Sequence, residues 1–490
     1  MSRERVGCAL LLLSLLTLSA GCRRRETFTL PQPSAQGGGV SAEVEKNSYA
    51  DLVARVAPAV VTIRAERVVR APQQHPFMDD PFFRDFFGDR MPQGQQQRPQ
   101  LQEGLGSGVL ISADGHIVTN HHVIDGAEEI EVELTDRRTF SAKLVGSDAP
   151  SDLAVLKVDA KDLPVLTLGD SDKVRVGDVV LAVGNPLGVG QTVTSGIISA
   201  KGRRTGLSDG SFEDFLQTDA AINRGNSGGA LVNAAGELIG INSQILSPSG
   251  GNIGIGFAIP SNMARGVAEQ LINKGNVRRG QLGVVVQAVT AEMASSMGLR
   301  EARGVIVNQV QPGSAAARAG VQQGDIITAL NGNAVNEPNE LRNLVASTQP
   351  GTEVTLTLLR DGREEQLKVT LGELSAGGRQ RGQNVPGGDG EQSEGGKLGI
   401  GVAPVTPELA ARLRLPEGAQ GLIITRVDPE GPAAQARLRE GDLIEQANRQ
   451  PVRTVEDLRA AIQRSTDRPI LLLINRPGEG NVFVTVRPRG

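Results

Sequence analysis

Length and composition indicate several soluble domains. At 490 residues the chain is too long for a single hydrophobic core, so about three domains of ordinary size are expected. Its 61 glycines and lack of tryptophan favour short strands and tight turns over a helical bundle. A net charge of −4 provides no large basic surface for phosphate, which argues against a nucleic-acid partner. Both cysteines, Cys8 and Cys22, lie near the N-terminus, so we expect no disulfide or cysteine metal site in the folded body.

Residues 1–22 have the pattern of an export signal. Arg3 and Arg5 precede an apolar run over residues 9–18 that is too short to remain as a membrane-spanning helix. The stretch Leu18-Ser-Ala-Gly-Cys22 resembles a bacterial lipobox, whose cysteine is lipidated after cleavage. Ordinary secretion with cleavage near this point is the alternative. The polar residues 23–48 are expected to form a flexible tether.

Short apolar segments separated by turn signals predict a β-rich region up to about residue 260. The predicted strands are Ala59–Ala65, Gly108–Ser112, His116–Thr119, Glu129–Leu134, Leu153–Val158 and Val179–Val183. Without long helices between them, these strands favour a barrel or a sandwich. Ser261 is then expected to cap a helix that continues to Ile272 and stops at Lys274-Gly275.

Residues 70–103 form an insertion rich in Gln, Pro and Asp. Solvated loops rarely carry many aromatic side chains, yet this one contains Phe77, Phe82, Phe83, Phe86 and Phe87. Two hypotheses account for them equally well. The phenylalanines either form a small cluster on their own domain, or they dock on a neighbouring subunit or shield the active site.

An internal repeat follows residue 280. Residues 304–335 align with residues 421–452 without a gap, at a constant offset of 117 residues. A period of this length indicates duplicated domains and not a solenoid. Residues 374–396, rich in Gly, Gln, Ser and Glu, are expected to form a flexible linker between them.

The segment Gly225-Asn-Ser-Gly-Gly229 is the strongest local indication of chemistry. Glycines on both sides of a serine allow a sharp turn, which leaves the amides of Gly225 and Ser227 able to point at one oxygen. An oxyanion hole requires such a pair of amides. Taken alone, however, the pentapeptide is more typical of a glycine-rich hairpin.

A serine nucleophile needs a base, and the chain has four histidines. His75 and His116 lie in the insertion and in a turn, which are poor positions for a rigid site. His121 and His122 end a predicted strand. Because side chains alternate along a strand, the two histidines face opposite sides, and the residues alone leave either one as the base.

The base must be oriented by a carboxylate. Asp152 precedes the apolar run Leu153-Ala-Val-Leu156, where a loop enters a core strand. Asp148 is the alternative and is expected to be the less buried of the two. Each aspartate also has an ordinary interpretation as a turn residue or a helix cap.

Together these residues resemble the three catalytic blocks of the HtrA serine proteases, in the order His, Asp, Ser. The blocks are Thr119-Asn-His-His-Val-Ile124, Ser151-Asp-Leu-Ala-Val-Leu156 and Gly225-Asn-Ser-Gly-Gly-Ala-Leu231. Gly106-Ser-Gly-Val-Leu110, Gly184-Asn-Pro-Leu-Gly188 and residues 251–260 resemble further blocks, so the resemblance covers nearly the whole chain after about residue 49. The insertion at 70–103 resembles the regulatory loop of the branch that carries two PDZ domains.

The resemblance implies a mostly β protein, with a chymotrypsin-like double β-barrel over residues 49–275. The family's base directly precedes a valine, which implies that His122 is the base, Asp152 its carboxylate partner and Ser227 the nucleophile. The amides of Gly225, Asn226 and Ser227 are implied to form the oxyanion hole. The substrate pocket is implied to involve Ile222, Ile255 and Ala221, and such an apolar pocket favours Val, Ala, Ile or Leu before the cleaved bond.

The repeats resemble HtrA-type PDZ domains, over residues 280–373 and 397–490. Their peptide-carboxylate loops are implied to be formed by Gln281, Leu282, Gly283 and Val284 in the first domain, and by Leu398, Gly399 and Ile400 in the second. Such loops hold a peptide C-terminus while the peptide adds to the sheet as a strand. The alternative is a degenerate domain kept for assembly. This alternative is stronger for the second domain, in which Arg437 replaces Gly320.

The resemblance implies ATP-independent endoproteolysis of unfolded envelope proteins, with no metal, nucleotide or organic cofactor. A peptide-binding chaperone with an idle protease site is the alternative from another class. Expected partners are unfolded proteins, peptides with apolar C-termini and further copies of the chain in a homo-oligomer. The expected location is the periplasm, with a lipid on Cys22 as anchor. The outer membrane is favoured because Arg23 follows this cysteine, where Asp is associated with retention in the inner membrane.

Overall fold

The computed structural model describes residues 48–69, 100–185, 190–205, 212–223, 225–245, 252–374, 397–413, 415, 418–465 and 468–489. The predicted signal and Cys22, nearly all of the tether, most of the insertion and nearly all of the linker lie outside these residues. Among the described residues, no helix is both long and apolar enough to cross a membrane. The described residues from Ala50 onwards belong to one compact unit.

Six strands close into a first barrel in the order β1-β2-β3-β6-β5-β4. They are β1 Val60–Val69, β2 Gln100–Leu110, β3 His116–Thr119, β4 Glu129–Glu133, β5 Thr139–Asp148 and β6 Leu153–Val158, preceded by helix α1, Ala50–Val56. The bounds of β3 and β6 agree with the prediction, whereas β2 begins eight residues earlier than expected. Fully buried Ile63, Leu110, Ile117 and Leu156 lie in the core of this barrel.

The next six strands close into a second barrel in the order β10-β11-β12-β9-β8-β7. They are β7 Val179–Gly184, β8 Thr192–Arg203, β9 Phe215–Thr218, β10 Ala230–Asn233, β11 Leu238–Ile245 and β12 Gly256–Pro260. Two closed barrels decide between the barrel and the sandwich, and they confirm the chymotrypsin-like fold class. Short 3-10 turns at Ala149–Ser151 and Ser171–Lys173 and the helical turn α2, His121–Ile124, lie in the connections.

Helix α3, Ser261–Lys274, follows the second barrel. Gly275 ends it as predicted, in a left-handed conformation with φ 73°, and its amide donates to the carbonyl of Leu271. The predicted cap at Ser261 is wrong, because Pro260 is the cap residue and Ser261 is the first helical residue. The buried Ser261 hydroxyl instead donates to the carbonyl of Gly169 at 2.9 Å, which ties the helix to the β6–β7 connection.

The repeated segments fold into two sheets of the same topology, in the orders β14-β15-β16-β18-β19 and β21-β22-β23-β25-β26. The first domain contains β13 Gly280–Gln281, β14 Val284–Ala288, α4 Ala291–Met297, β15 Val305–Val310, α5 Ala315–Arg318, β16 Ile326–Leu330, β17 Asn333–Ala334, α6 Pro338–Ser347, β18 Glu353–Arg360, β19 Arg363–Thr370 and β20 Gly372–Glu373. The second contains β21 Ile400–Pro404, α7 Pro407–Arg412, β22 Leu422–Val427, α8 Pro432–Gln435, β23 Leu443–Ala447, β24 Gln450–Pro451, α9 Val455–Gln463, β25 Ile470–Arg476 and β26 Gly480–Val486.

The two repeated domains share an equivalent ion pair, in which a buried aspartate is bound by an arginine. Arg360 pairs with Asp325 at 2.7 Å in the first domain, and Arg476 pairs with Asp442 at 2.9 Å in the second. Each arginine also donates to a main-chain carbonyl, that of Gly320 in the first domain and of Arg437 in the second. Arg437 has φ 60° where Gly320 has φ 81°, so the second domain keeps the same backbone despite the substitution.

The two repeated domains pack together through apolar side chains. Leu471, Leu473 and Phe483 of the second domain contact Met293, Ile306 and Ile326 of the first. The Gln287 amide pairs with the main chain of Phe483, donating to its carbonyl at 2.9 Å and accepting from its N–H at 3.1 Å. The second domain therefore covers a face of the first sheet that a single domain would expose to water.

Candidate active site

His122 and Asp152 are in direct contact. The Nδ1 atom of His122 lies 2.9 Å from both carboxylate oxygens of Asp152, and the His122 main-chain N–H donates to the same carboxylate at 3.0 Å. His121, by contrast, faces Asp125, with its Nε2 atom 3.7 Å from that carboxylate. The predicted strand bounds His116–Thr119 are correct, but the further expectation that the strand ends with the two histidines is wrong. β3 ends at Thr119, and His121 and His122 begin the helical turn α2. The turn directs His122 towards Asp152.

A tight turn presents the Asp152 carboxylate. Asp152 follows the 3-10 turn Ala149–Ser151 and has φ 53°, an unfavourable conformation for a residue other than glycine. The Asp148 carboxylate accepts the Ser151 N–H at 3.0 Å at the start of this turn, and the Asn120 side chain donates to the Asp152 carbonyl at 3.0 Å at its end. These contacts hold the strained residue in place.

Electrostatics keep the Asp152 carboxylate charged. Burial by itself would raise its pKa, but the charge of His122 and hydrogen bonds from the His122 ring, the His122 amide and the Ser243 hydroxyl outweigh it. The pKa of Asp152 is therefore lowered from its ordinary value. A carboxylate held in this state can stabilise a positive imidazolium beside it.

Ser243 connects Asp152 to Ser227. Its hydroxyl donates to the Asp152 carboxylate at 2.9 Å, while its main-chain carbonyl accepts the Ser227 hydroxyl, also at 2.9 Å. The sequence reasoning missed Ser243, which lies within β11 and is separated from Asp152 by 91 positions. No local pattern marks this serine, since only the barrel topology brings β11 to the Asp152 loop.

The glycine-rich segment folds back on itself tightly. Gly225 and Gly228 have φ values of 93° and 81°, which favour glycine. A Cβ atom on Gly228 would overlap the carbonyl of Ser107 and the hydroxyl of Thr119. The amide of Asn226 does not fit the oxyanion role given to it, because it donates to the carbonyl of Asn223 at 3.0 Å. The amides of Gly225 and Ser227 remain as the candidates.

Comparison with known proteins identifies the domains of this chain. Residues 106–241 match the trypsin-like peptidase domain, and residues 266–371 and 423–476 match PDZ domains. The solved structure of the HtrA-type protease AlgW with tripeptide is 46% identical, with a TM-score of 0.54 over 67% of this chain and 98% of its own. The periplasmic pH-dependent serine endoprotease DegQ of Escherichia coli is 44% identical over 92% of this chain and 94% of its own length. The chain belongs to the HtrA family of serine endoproteases.

A second Escherichia coli relative supports the same assignment over a longer span. The periplasmic serine endoprotease DegP is 39% identical over 97% of this chain and 99% of its own length. The resemblance to HtrA proteases with two PDZ domains is thus confirmed, and the chain is a serine endopeptidase with a trypsin-like domain and two PDZ domains.

The predicted pocket residues of this HtrA protease differ in their surroundings. Ile222 is 1% exposed and lies in the core of the second barrel, against Gly256 at the start of β12. Ile255, the neighbour of Gly256, is only partly buried and packs against the other core cluster. The carbonyl of Ala221 accepts the hydroxyl of Thr194 at 2.8 Å. Ile255 is therefore the more accessible of the two isoleucines, whereas Ile222 is a core residue of the second barrel.

The two predicted carboxylate loops have the same backbone geometry. Gly283 and Gly399 have φ values of 79° and 72°, and each precedes the edge strand of its sheet, β14 or β21. The carbonyls of Leu282 and Leu398 each accept an amide from the short helix of their own domain, at 2.9 and 3.0 Å. The remaining loop residues are paired in strands, Gln281 with Gly372, Val284 with Val310 and Ile400 with Val427.

Asp148 holds the first PDZ domain of this HtrA protease against the Asp152 loop. Contrary to expectation it is the more buried aspartate, because Arg279 from the start of the PDZ domain pairs with it at 2.5 Å. The Phe212 ring lies between the guanidinium groups of Arg279 and Arg342, 4.4 Å from each. The side chains of Asn339 and Asn343 on α6 both donate to the carbonyl of Glu213.

Because its pKa is lowered, the Asp152 carboxylate is expected to stabilise the folded protein at neutral pH and to lose this effect in acid. Because the folded protein favours the charged form, this contribution is present above about pH 3.9, the ordinary value for aspartate, and is lost as the pH falls through the lower folded pKa. We expect Asp152→Asn to lower the urea midpoint of the protease domain at pH 5. The difference from the wild type should narrow between about pH 4 and pH 3, as followed by circular dichroism.

Asp159→Asn provides the matched control, because Asp159 is an exposed residue directly after β6. An exposed carboxylate contributes little to stability, so this variant should match the wild type throughout. A difference for Asp152→Asn that stays constant down to pH 3 contradicts the lowered pKa.

Proposed function

We propose that Ser227 is the nucleophile of this protease, His122 its general base and acid, and Asp152 the group that orients His122. The observation that carries the proposal is the network from His122 through Asp152 and Ser243 to Ser227, formed by hydrogen bonds of 2.9 Å. Asp152 accepts at Nδ1 of His122, which leaves Nε2 as the nitrogen for proton transfer.

The reaction begins when the Ser227 hydroxyl, which donates to the Ser243 carbonyl in this structure, turns towards Nε2 of His122. His122 Nε2 takes the hydroxyl proton as Ser227 Oγ forms a bond to the scissile carbonyl carbon, whose oxygen becomes an oxyanion. The amides of Gly225 and Ser227 donate to that oxygen. His122 returns the proton to the leaving amine as the peptide bond breaks, and a water molecule releases the acyl group by the same steps in reverse.

We propose unfolded or misfolded periplasmic proteins as the substrates. The Escherichia coli relatives are named periplasmic endoproteases, and each PDZ sheet of this chain has an edge strand, β14 or β21, to which an extended chain end can add. The apolar side chain of Ile255 favours a small aliphatic residue before the cleaved bond. Unfolded chains expose such residues, whereas folded proteins bury them.

Replacing the nucleophile should abolish cleavage while preserving the fold. Ser227→Ala and His122→Ala are each expected to lower kcat for casein about ten-thousand-fold or more, because both groups act in the same bond-forming step. The adjacent substitution His121→Ala is the matched control, since His121 contacts Asp125 instead of the network, and it should stay close to wild type. The rates are measured with a purified preparation and a fluorescent casein.

Labelling with an active-site serine reagent distinguishes the protease from a peptide-binding chaperone with an idle site. The protease forms a covalent adduct at Ser227 that Ser227→Ala lacks. Absence of the adduct in the wild type, with and without unfolded substrate, supports the chaperone. Cleavage retained by Ser227→Ala contradicts the nucleophile assignment directly.

We further propose that the first PDZ domain binds peptides with a free, apolar C-terminus at Gln281–Val284. β14 lies at the edge of its sheet, where a peptide can add as a further strand. The matching backbone of the second loop supports the same role there.

Amidation of the peptide C-terminus should weaken binding about tenfold or more, because hydrogen bonds to a charged group contribute about 1.5–3 kcal/mol. Gly283→Ala should weaken binding to the first loop, since its Cβ would overlap Ser314. Gly399→Ala serves as the matched change in the second loop. Fluorescence anisotropy with the free and amidated peptides measures both effects, and equal affinities would refute the assignment of the carboxylate loops.

Self-association remains a prediction from the family resemblance, because the phenylalanines of the insertion lie outside the described residues. Light scattering of the mature protein measures it, and a strict monomer at micromolar concentration contradicts it.

We propose that the mature protein begins at Cys22 and is anchored in a periplasmic membrane leaflet, most favourably that of the outer membrane, through lipid on this cysteine. Several acyl chains anchor a protein stably, whereas one chain binds only marginally. Labelled palmitate should appear in the wild type and not in Cys22→Ala, which should move to the soluble periplasmic fraction. An unlabelled, fully soluble wild type indicates ordinary signal cleavage instead.

A further inference from the structure

Ser107 lies where strand β2 of the first barrel meets the second barrel. Its neighbours Gly106 and Gly108 face the packed interior, where a Cβ atom would press against Val123 or Ile117. Because side chains alternate along a strand, the Ser107 side chain points outwards. The second barrel covers it there, and Ser107 is 0% exposed.

The hydrogen bonds of the Ser107 hydroxyl fix the direction of its proton. The oxygen accepts the main-chain N–H of Asn185 at 2.9 Å, so the hydroxyl proton is directed to its other partner, the carbonyl of Gly225 at 2.5 Å. The main-chain N–H of Ser107 donates to the carbonyl of Ser227 at 2.8 Å. Ser107 of the first barrel therefore binds the carbonyls of Gly225 and Ser227. These two carbonyls lie before and after the Ser227 amide along the chain.

These contacts fix three successive peptide units in residues 225–229, here called the oxyanion loop. The Gly225–Asn226 unit is held by the Ser107 hydroxyl and by the Asn223 carbonyl. The Asn226 carbonyl of the next unit accepts the Gly229 N–H at 2.9 Å. The Ser227–Gly228 unit is held by the Ser107 N–H and by the Asn242 carbonyl.

The Ser107 hydroxyl contact differs from the others in the oxyanion loop because it comes from a side chain. Substitution can therefore remove it while leaving the main-chain contacts in place. It also acts on the unit next to the Gly225 amide, since Gly225 with φ 93° joins that unit to the preceding one. Rotation of this unit changes ψ of Gly225 and φ of Asn226. These two angles set how the flanking units, which carry the N–H groups of Gly225 and Ser227, are oriented relative to each other.

We propose that Ser107 is a positioning residue for the oxyanion hole. Its hydroxyl holds the Gly225 carbonyl away from the reacting oxygen and so preorganises the amides of Gly225 and Ser227. Preorganised donors favour the transition state because they need no reorganisation as charge develops. The inference rests on the proposed roles of Ser227 and of these amides.

The test compares Ser107→Ala with wild type in the full chain. We expect kcat for a chromogenic peptide to fall about 10- to 100-fold, less than the 10²–10³-fold loss typical of removing an oxyanion donor itself. KM should stay nearly constant. Inhibition by a peptide aldehyde, whose adduct with Ser227 places an oxygen in the hole, should weaken by the same factor as kcat. In the Ser227→Ala background, Ser107→Ala should leave the dissociation constant of the uncleaved peptide unchanged.

Ser261→Ala is the matched control, because its hydroxyl is equally buried and also donates to a main-chain carbonyl, at 2.9 Å, but ties α3 to Gly169. It should keep the wild-type kcat. Ser107→Cys replaces the hydroxyl with a slightly larger thiol, which is a weaker donor, and its kcat should also fall. If Ser107→Ala does not fold, Ser107→Cys is used in its place.

Two results would overturn the proposal. One is a kcat within twofold of wild type for the folded Ser107 variants. The other is an equal loss of kcat and of ground-state peptide affinity, which indicates a purely structural role. Ser227→Ala is assayed in parallel, so that failure of the Ser107 role can be told apart from failure of the proposed nucleophile. If Ser227→Ala still cleaves peptide, the assignment of Ser227 as nucleophile is refuted. If Ser227→Ala is inactive while the Ser107 variants keep wild-type activity, only the role of Ser107 is refuted.

Discussion

The close approach of two backbones at the junction of the barrels is the constraint on which the active site depends. The Ser107 N–H reaches the carbonyl of Ser227, and Gly228 has no room for a side chain beside Ser107 and Thr119. A larger residue at Gly228 would separate the barrels where Ser107 contacts the oxyanion loop. The glycines of the oxyanion loop therefore serve packing as well as backbone conformation.

Two aspartates four positions apart illustrate how surroundings assign different roles to the same residue type. Asp152 faces His122 and Ser243, and its pKa is lowered while it stays partly accessible, with 28% of its side chain exposed. Asp148 is buried against Arg279, and removal of that cation would leave an uncompensated buried charge, which is strongly destabilising. The turn that presents Asp152 is thus directly attached to the first PDZ domain.

The first PDZ domain is held in place by contacts on two sides. Helix α6 of the first domain contacts Phe212 and Glu213 of the protease domain, while the first sheet packs on Phe483 of the second domain. The first PDZ domain therefore has neighbours on two sides, yet β14 remains an edge strand. A peptide that adds to this edge would bind a domain that is already held in place.

The sequence by itself determined that the first part of the chain is β-rich, that a domain is repeated, and where the two strands β3 and β6 lie. It left the barrel and the sandwich open, and the resemblance to HtrA proteases was needed to choose between them. The start of β2 could not be predicted, because residues 100–103 lack an apolar pattern and are strand only through pairing with β1. Nor could the residues choose between His121 and His122 without the resemblance to HtrA proteases, since the choice depends on a contact with Asp152 across 30 positions.

The tertiary structure alone decided the burial of Asp148, the bridging position of Ser243 and the contacts of Ser107. Each depends on partners far away in the sequence: Arg279 lies 131 positions from Asp148, and Gly225 lies 118 positions from Ser107. Local patterns encode which segments form strands, because alternation and turn preferences act over a few residues. Hydrogen bonds between the barrels form only after both barrels close, so no short stretch of the chain records them.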